Sequence, residues 1–314
     1  MRVLVTGAGG FVGKGLCEHL SLRGHDVVAA TRRVDSITAG RPLFISTVGP
    51  ETDWSPALDG VEAVVHLAAR AHVLHDPASN PLEEHRRVNT EGTRRLARQA
   101  GERGVRRFVF MSSIGVLGNN SLKSKNGHSF TEGDQPNPHD DYSRSKWEAE
   151  VALSEIPWME KIVIRPPLIY GPDVPGNMRR LVGLAKKGRP FPLGGVHNKR
   201  SLIGRDNLCS FVSLALEGER ASGQTFVISD NEQVSTAELY EIICRNLGVQ
   251  SRLMSVPEPM LRTLLSALGK GKMAERLCDT LLVDATKAKE ILGWKQVKSL
   301  ENGLRETVLS YSEI

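Results

Sequence analysis

The sequence predicts an α/β protein, a doubly wound parallel sheet followed by a smaller mixed α/β lobe. Three observations lead there. Short apolar runs alternate with longer helical patterns through the first half of the chain, a glycine-rich turn joins the first run to the first helix, and after Pro166 the texture changes to glycine and proline punctuation among mixed helices and short strands. Strand–helix alternation demands parallel strands, because a helical crossover returns the chain to the same end of the sheet. The 314 residues suit two units of roughly 150 each. We place the main domain at residues 1–170 and the second lobe at 171–314, with room for a strand of the lobe to return to the main sheet.

Taken in order, apolar strand runs occupy residues 2–6, 26–31, 61–68, 107–111 and 161–165, and helical patterns occupy 11–23, 82–103 and 142–155. Residues 118–141 are rich in Gly, Asn, Ser, Lys and Pro without periodicity, and a loop this long inside a compact domain is usually functional. The composition, 40% hydrophobic and 25% charged, excludes a disordered chain. No stretch approaches the ~18 apolar residues of a bilayer span, and the first strand begins too early for a cleaved leader, so a soluble cytoplasmic protein without membrane insertion is expected. Cys17, Cys209, Cys244 and Cys278 are scattered without a CxxC pair, which writes neither a metal site nor a disulfide framework; they read as small core residues. The net charge of +5 is dispersed, which suits an anionic small molecule and gives no support for nucleic acid.

The first strand runs into Gly7-Ala-Gly-Gly-Phe-Val-Gly13, which opens a helix. Gly7 permits a tight turn, Gly10 lets a pyrophosphate approach the backbone, and Gly13 lets the helix lie close on the strand, with the amides of Phe11 and Val12 at the helix mouth. Strand before and helix after make this a dinucleotide-binding Rossmann signature. An NAD site usually places a carboxylate at the end of the second strand; here stand Thr31, Arg32 and Arg33. Arginine binds a 2′-phosphate where a carboxylate would repel it, so NADP(H) is favoured, with NAD(H) as the alternative.

Tyr142-Ser-Arg-Ser-Lys146 opens the helix at 142–155, and residues at i and i+4 share a face. A phenol titrates near ~10, and a neighbouring ammonium is expected to lower that value toward use at neutral pH. The strand at 107–111 delivers Ser112 and Ser113 to the ligand-binding edge of the sheet.

The glycine loop, His66-Leu-Ala-Ala69, the two serines, YxxxK and Arg165-Pro-Pro-Leu-Ile-Tyr-Gly-Pro172, all in order, resemble the extended short-chain dehydrogenase/reductase family over nearly the whole chain. The resemblance implies catalytic roles for Ser113, Tyr142 and Lys146, a cofactor lined by Leu67, Ala68, Ala69 and Pro167 with Asn89 behind it, and a homodimer. In the second lobe it points to Asn177, Arg200 and Arg276 as candidates for holding a nucleotide-diphosphate sugar, and to His72 for the sugar or cofactor. Sugar dehydratases of the family carry an Asp-Glu pair where this chain has Ile114 and Gly115, so dehydration is disfavoured. Epimerases usually keep an aspartate where Thr31 stands. These departures point to net reduction, and the segments at 112–118 (SSIGVLG), 165–172 (RPPLIYGP) and 200–207 (RSLIGRDN) resemble bacterial UDP-N-acetyl-hexosamine 4-ketoreductases, which implies an NADPH-dependent reduction of the C4 ketone of a UDP-linked, N-acetylated 6-deoxy hexose in surface-polysaccharide synthesis. An NAD-dependent UDP-hexose 4-epimerase is the alternative, and a non-catalytic dinucleotide sensor the second.

Overall fold

The computed structural model describes residues 1–71, 78–124 and 127–311. Seven parallel strands form the main sheet: β1 (Arg2–Thr6), β2 (Asp26–Thr31), β3 (Arg41–Phe44), β4 (Ala63–His66), β5 (Arg107–Met111), β6 (Glu160–Arg165) and β9 (Thr225–Val227). Their spatial order is β3-β2-β1-β4-β5-β6-β9. The order reverses between β1 and β4, and the crevice at such a switch point, beyond the carboxyl ends of the strands, is where open α/β sheets bind ligands. The strand that returns from the second half, β9, pairs with β6 at the edge. The edge strand β3 lacks an obvious sequence signal: it is four residues long, exposed except for the half-buried Leu43, and contains Pro42, which an edge tolerates.

The helices of this half are α1 (Phe11–Leu22), α2 (Pro81–His85), α3 (Gly92–Glu102) and α4 (Asp141–Ser154). Leu16, Cys17 and Leu20 turn one face of α1 onto the sheet. On the opposite face, Leu96, Ala97 and Ala100 of α3 and Ala149 and Leu153 of α4 pack on Leu4, Val64 and Phe108. The helix expected over 82–103 is broken: a π-helical turn, Arg86–Glu91, separates α2 from α3. All four cysteines are free and buried, as expected of small core residues.

Beyond β6 the chain forms β7 (Leu168–Tyr170), α5 (Asn177–Lys186), β8 (Arg200–Gly204) and α6 (Arg205–Glu217), then after β9 the short β10 (Gln233–Val234) and the helices α7 (Thr236–Asn246), α8 (Glu258–Ala267), α9 (Gly271–Cys278), α10 (Thr286–Leu292) and α11 (Leu300–Leu309). The strands β10, β8 and β7 make a small mixed sheet. Helix α6 belongs physically to the main domain, since Leu208, Phe211, Val212 and Leu216 share a core with Val3, Val5 and Val109. The Arg107 guanidinium, 1% exposed, donates to the carbonyls of Ala215, Leu216 and Gly218 at that helix's end and is paired with Glu160. Such neutralisation is what makes a buried arginine tolerable.

Candidate active site

The glycine loop is shaped by backbone contact. Gly7 has φ of 69°, and a Cβ there would lie 2.9 Å from the Ala68 nitrogen; a Cβ on Gly13 would lie 2.2 Å from the Gly7 carbonyl oxygen. Only glycine allows β1, α1 and the end of β4 to approach this closely. Gly10, exposed, caps α1 with no side-chain hydrogen bond, leaving the first helical amides to an anion. The residues present thus fit a dinucleotide pyrophosphate. At the end of β2, Thr31 Oγ1 and Ser36 Oγ both donate to the Arg33 carbonyl, and both hydroxyls crowd the space where a Gly9 Cβ would stand. Arg32 and Arg33 are exposed, and neither forms an ion pair among the described residues. Sequence reasoning missed Ser36, which folds back only because Val34–Ser36 make a 3₁₀ turn.

Behind the loop runs a directed chain of buried hydrogen bonds. The Ala68 amide donates to Thr6 Oγ1 (3.2 Å), which lies 2.7 Å from His66 Nδ1; His66 Nε2 lies 3.0 Å from Thr93 Oγ1, which donates to the Asn89 carbonyl (2.5 Å). Because Thr93 gives its proton to Asn89, His66 must donate from Nε2 and accept at Nδ1 from Thr6. Burial depresses the imidazole to a pKa of about 3, with the Lys146 charge adding to the effect, so His66 is neutral throughout the working range. The Asn89 side chain holds the loop after β4, accepting from the Arg70 amide (2.7 Å) and donating to the Arg70 carbonyl (3.1 Å) and to Ser145 Oγ (2.9 Å), which donates to the Tyr142 carbonyl. Asn89 sits within the π-helical turn, fully buried, and is not a helix-terminal cap. Leu67, Ala68 and Ala69 are half-buried at the open edge that this chain supports.

Asp140 caps α4, accepting from the Ser143 amide at 2.8 Å, and the first turn then presents Tyr142 and Lys146 on one face. Lys146 is 2% exposed; its Nζ donates to the Met111 carbonyl at 2.7 Å and lies 4.5 Å from the centre of the Phe110 ring. Burial pushes its pKa down to about 7, with Glu150 opposing. Tyr142 corrects the sequence expectation: burial, then the Asp140 carboxylate, raise the phenol above its usual value. The ammonium does not prevail because desolvation acts on both groups and leaves Lys146 only partly charged near neutrality. Ser113 Oγ accepts from the Gly115 amide at 3.1 Å, which leaves its proton free to donate. A Cβ on Gly115 would stand 2.5 Å from Ser143 Oγ and 3.3 Å from Ser113 Oγ, which places Ser113 beside the first turn of α4. There is no room at 115 for the acidic side chain of a dehydratase. One turn beyond Lys146, Glu150 accepts from Ser112 (2.5 Å) and from two nitrogens of Arg165 (3.0 and 2.5 Å), locking the ends of β5 and β6 to α4. Sequence reasoning missed this clamp. Pro167 is buried just past β6, and the Ile114 amide donates to the neighbouring Pro166 carbonyl.

From the second lobe, the Arg200 guanidinium caps α9, donating to the carbonyls of Arg276 (3.2 Å) and Asp279 (3.1 Å). The two arginine candidates are therefore neighbours. The Arg276 side chain is exposed, and its charge reaches Asp140: burial opposes ionisation there, but the Ser143 hydrogen bonds and the charges of His139 and Arg276 hold that carboxyl below its usual range. Asn119 donates to Glu275 at 3.1 Å, a second link between α9 and the main domain. Asn177 is exposed at the start of α5. His72 lies outside the described residues. Among the described residues no cluster of His, Cys, Asp and Glu could hold a metal ion.

Arg276→Ala should raise KM for a nucleotide-diphosphate sugar by about tenfold or more, the loss of one charge-assisted hydrogen bond, with dinucleotide Kd unchanged. Initial rates at varied substrate check it.

This is the geometry of a dinucleotide-dependent oxidoreductase, and the chain belongs to the NAD dependent epimerase/dehydratase family, whose model matches residues 3–229. It is 38% identical to UDP-glucose 4-epimerase of Vibrio cholerae over 98% of this chain and 95% of that protein. It is 27% identical to N-acetyl-alpha-D-glucosaminyl-diphospho-ditrans,octacis-undecaprenol 4-epimerase of Escherichia coli O157:H7 over 98% and 94%. In fold it is similar to UDP-glucuronic acid 4-epimerase of Bacillus cereus, solved with UDP-glucuronic acid and NAD, with a TM-score of 0.80 at 20% identity over 100% and 99% of the two chains.

Proposed function

We propose that this protein interconverts the C4 epimers of a UDP-hexose, using a dinucleotide that ends each turnover in the oxidation state in which it began. The observation that carries this reading is the 38% identity with a UDP-glucose 4-epimerase across nearly the full length of both chains. It favours epimerisation over the net ketone reduction expected from Thr31, Arg32 and Arg33. A bound NAD(P) would accept hydride from C4 and return it to the opposite face. Gly7, Gly10 and Gly13 would admit its pyrophosphate, and Lys146 would hold its ribose. Tyr142 takes the O4 proton as the C4 ketone forms and gives it back on reduction, while Ser113 donates a hydrogen bond to the same oxygen. The exposed Arg276 would hold the diphosphate, with Arg200 supporting the end of the helix that carries it.

The test supplies UDP-glucose, and separately UDP-N-acetylglucosamine, to the enzyme without added reductant. The expected result is the galacto epimer by proton NMR with no net change in absorbance at 340 nm. Turnover only of a 4-keto sugar, with one NAD(P)H consumed per product, would establish reduction instead. The two arginines support an NADP preference: Arg32→Ala should weaken NADPH binding about tenfold or more and leave NADH unchanged, and equal parental Kd values for both would remove that argument.

A further inference from the structure

Helix α8 buries one stripe and exposes another. Leu261 and the half-buried Leu265 pack on Leu193, Val196 and Cys278. The adjacent stripe, Met260, Leu264 and Leu268 at i, i+4 and i+8, is 64%, 54% and 61% exposed, with Met254 and Met273 also exposed on either side of it in the chain. A surface helix ordinarily carries polar residues there. Between Ser255 and Gly269 the only charged side chains are Glu258 and Arg262, paired at 2.8 Å, and Arg262 also meets the buried Asp279 at 2.7 Å.

The surroundings of this face are basic. Arg252 precedes it and Lys270 and Lys272 follow it, all exposed. Arg189 stands two residues before Phe191, whose amide donates to the Arg252 carbonyl at 2.9 Å. None of these four forms an ion pair among the described residues. Between Asp173 and Asp206 the chain carries eight Lys and Arg and no Asp or Glu. An uncharged, methionine- and leucine-rich stripe with basic flanks matches the interfacial zone of an anionic bilayer, apolar atoms toward the acyl boundary and ammonium groups at the phosphates.

We propose that the α8–α9 hairpin docks this protein reversibly on an anionic phospholipid surface. The helix that carries Arg276 would then lie against the membrane, at the mouth of the second lobe. No step depends on which sugar is turned over, so the inference stands apart from the proposed reaction.

Full-length protein is sedimented with vesicles of phosphatidylcholine alone and of phosphatidylcholine with phosphatidylglycerol, beside Leu264→Glu and the double variant Lys270→Glu/Lys272→Glu. Unchanged thermal unfolding and vesicle-free turnover establish that the variants are folded. Expected are binding to the anionic vesicles only, weakened about tenfold or more by Leu264→Glu, and loss of salt sensitivity in the lysine variant. Absent or charge-independent sedimentation overturns the proposal, as does parental binding by Leu264→Glu. So does light scattering showing that Leu264→Glu dissociates a dimer, since a second copy would then cover this face.

Discussion

Tyr142→Phe should lower kcat by about 10²–10⁴-fold, the range of general acid–base catalysis, while dinucleotide binding stays at its parental Kd. The substitution removes one oxygen from a side chain whose ring packs edge-on to His85 at 6.2 Å, so the fold should be unaffected. Because the raised phenol stays protonated in the free protein, the reductive half is supported at once. The oxidative half must draw the proton onto a group that burial disfavours as an anion. Ser113, which donates to the same oxygen, can substitute in part; Ser113→Ala should therefore cost less, and the double variant less than the product of the two losses. Steady-state rates with fluorescence titration of NADH separate the effects, and near-parental turnover by folded Tyr142→Phe would remove the mechanism.

Lys146→Met should stabilise the protein and abolish most of its activity. A lysine with its pKa at about 7 in the fold against 10.5 in the unfolded chain binds fewer protons when native at every pH between those values. Stability therefore rises with pH across that window, and the cost of burying the charge, roughly 5 kcal/mol, is fully present below pH 7. Methionine fills the same space without that cost but leaves the Met111 carbonyl without its donor, at about 1–3 kcal/mol. The net gain should be about 2–4 kcal/mol at pH 6 and turn into a loss of about 1–3 kcal/mol as pH approaches 10.5. Urea midpoints at the two pH values, with unchanged slope, check it. Turnover should fall at least 10²-fold. A destabilised variant at pH 6 would show that Lys146 is held as an ammonium with its burial fully compensated.

The glycine loop, the YxxxK helix and five of the seven sheet strands were legible because each is local: a period, a turn chemistry or an i,i+4 spacing writes it directly. β3 was not, since four mostly exposed residues with a proline carry no period, and three-residue β9 was foreseen only as room for a returning strand. The helix over 82–103 looks continuous because its apolar spacing survives the π-helical turn that turns Asn89 inward. Tyr142 shows the larger limit. Its spacing to Lys146 gives the chemistry its partners, while the sign of its pKa shift depends on desolvation by neighbours that are distant in sequence. The Thr6–His66–Thr93–Asn89 chain is invisible for the same reason, although a histidine ending an apolar strand was a signal that could have been followed.

The placement of α6 and β9 has a consequence for how the molecule is made. When a ribosome has released residues 1–170, β6 still offers an unpaired edge and the sheet face under α1 lacks the rest of its cover, for Phe211, Phe226 and Trp294 belong to that same core. Synthesis at about 5–20 residues per second leaves about 6–25 s before Trp294 emerges. Throughout that interval the nascent chain presents apolar surface and strand edge to its neighbours, the conditions under which aggregation competes with folding and a holding chaperone raises yield.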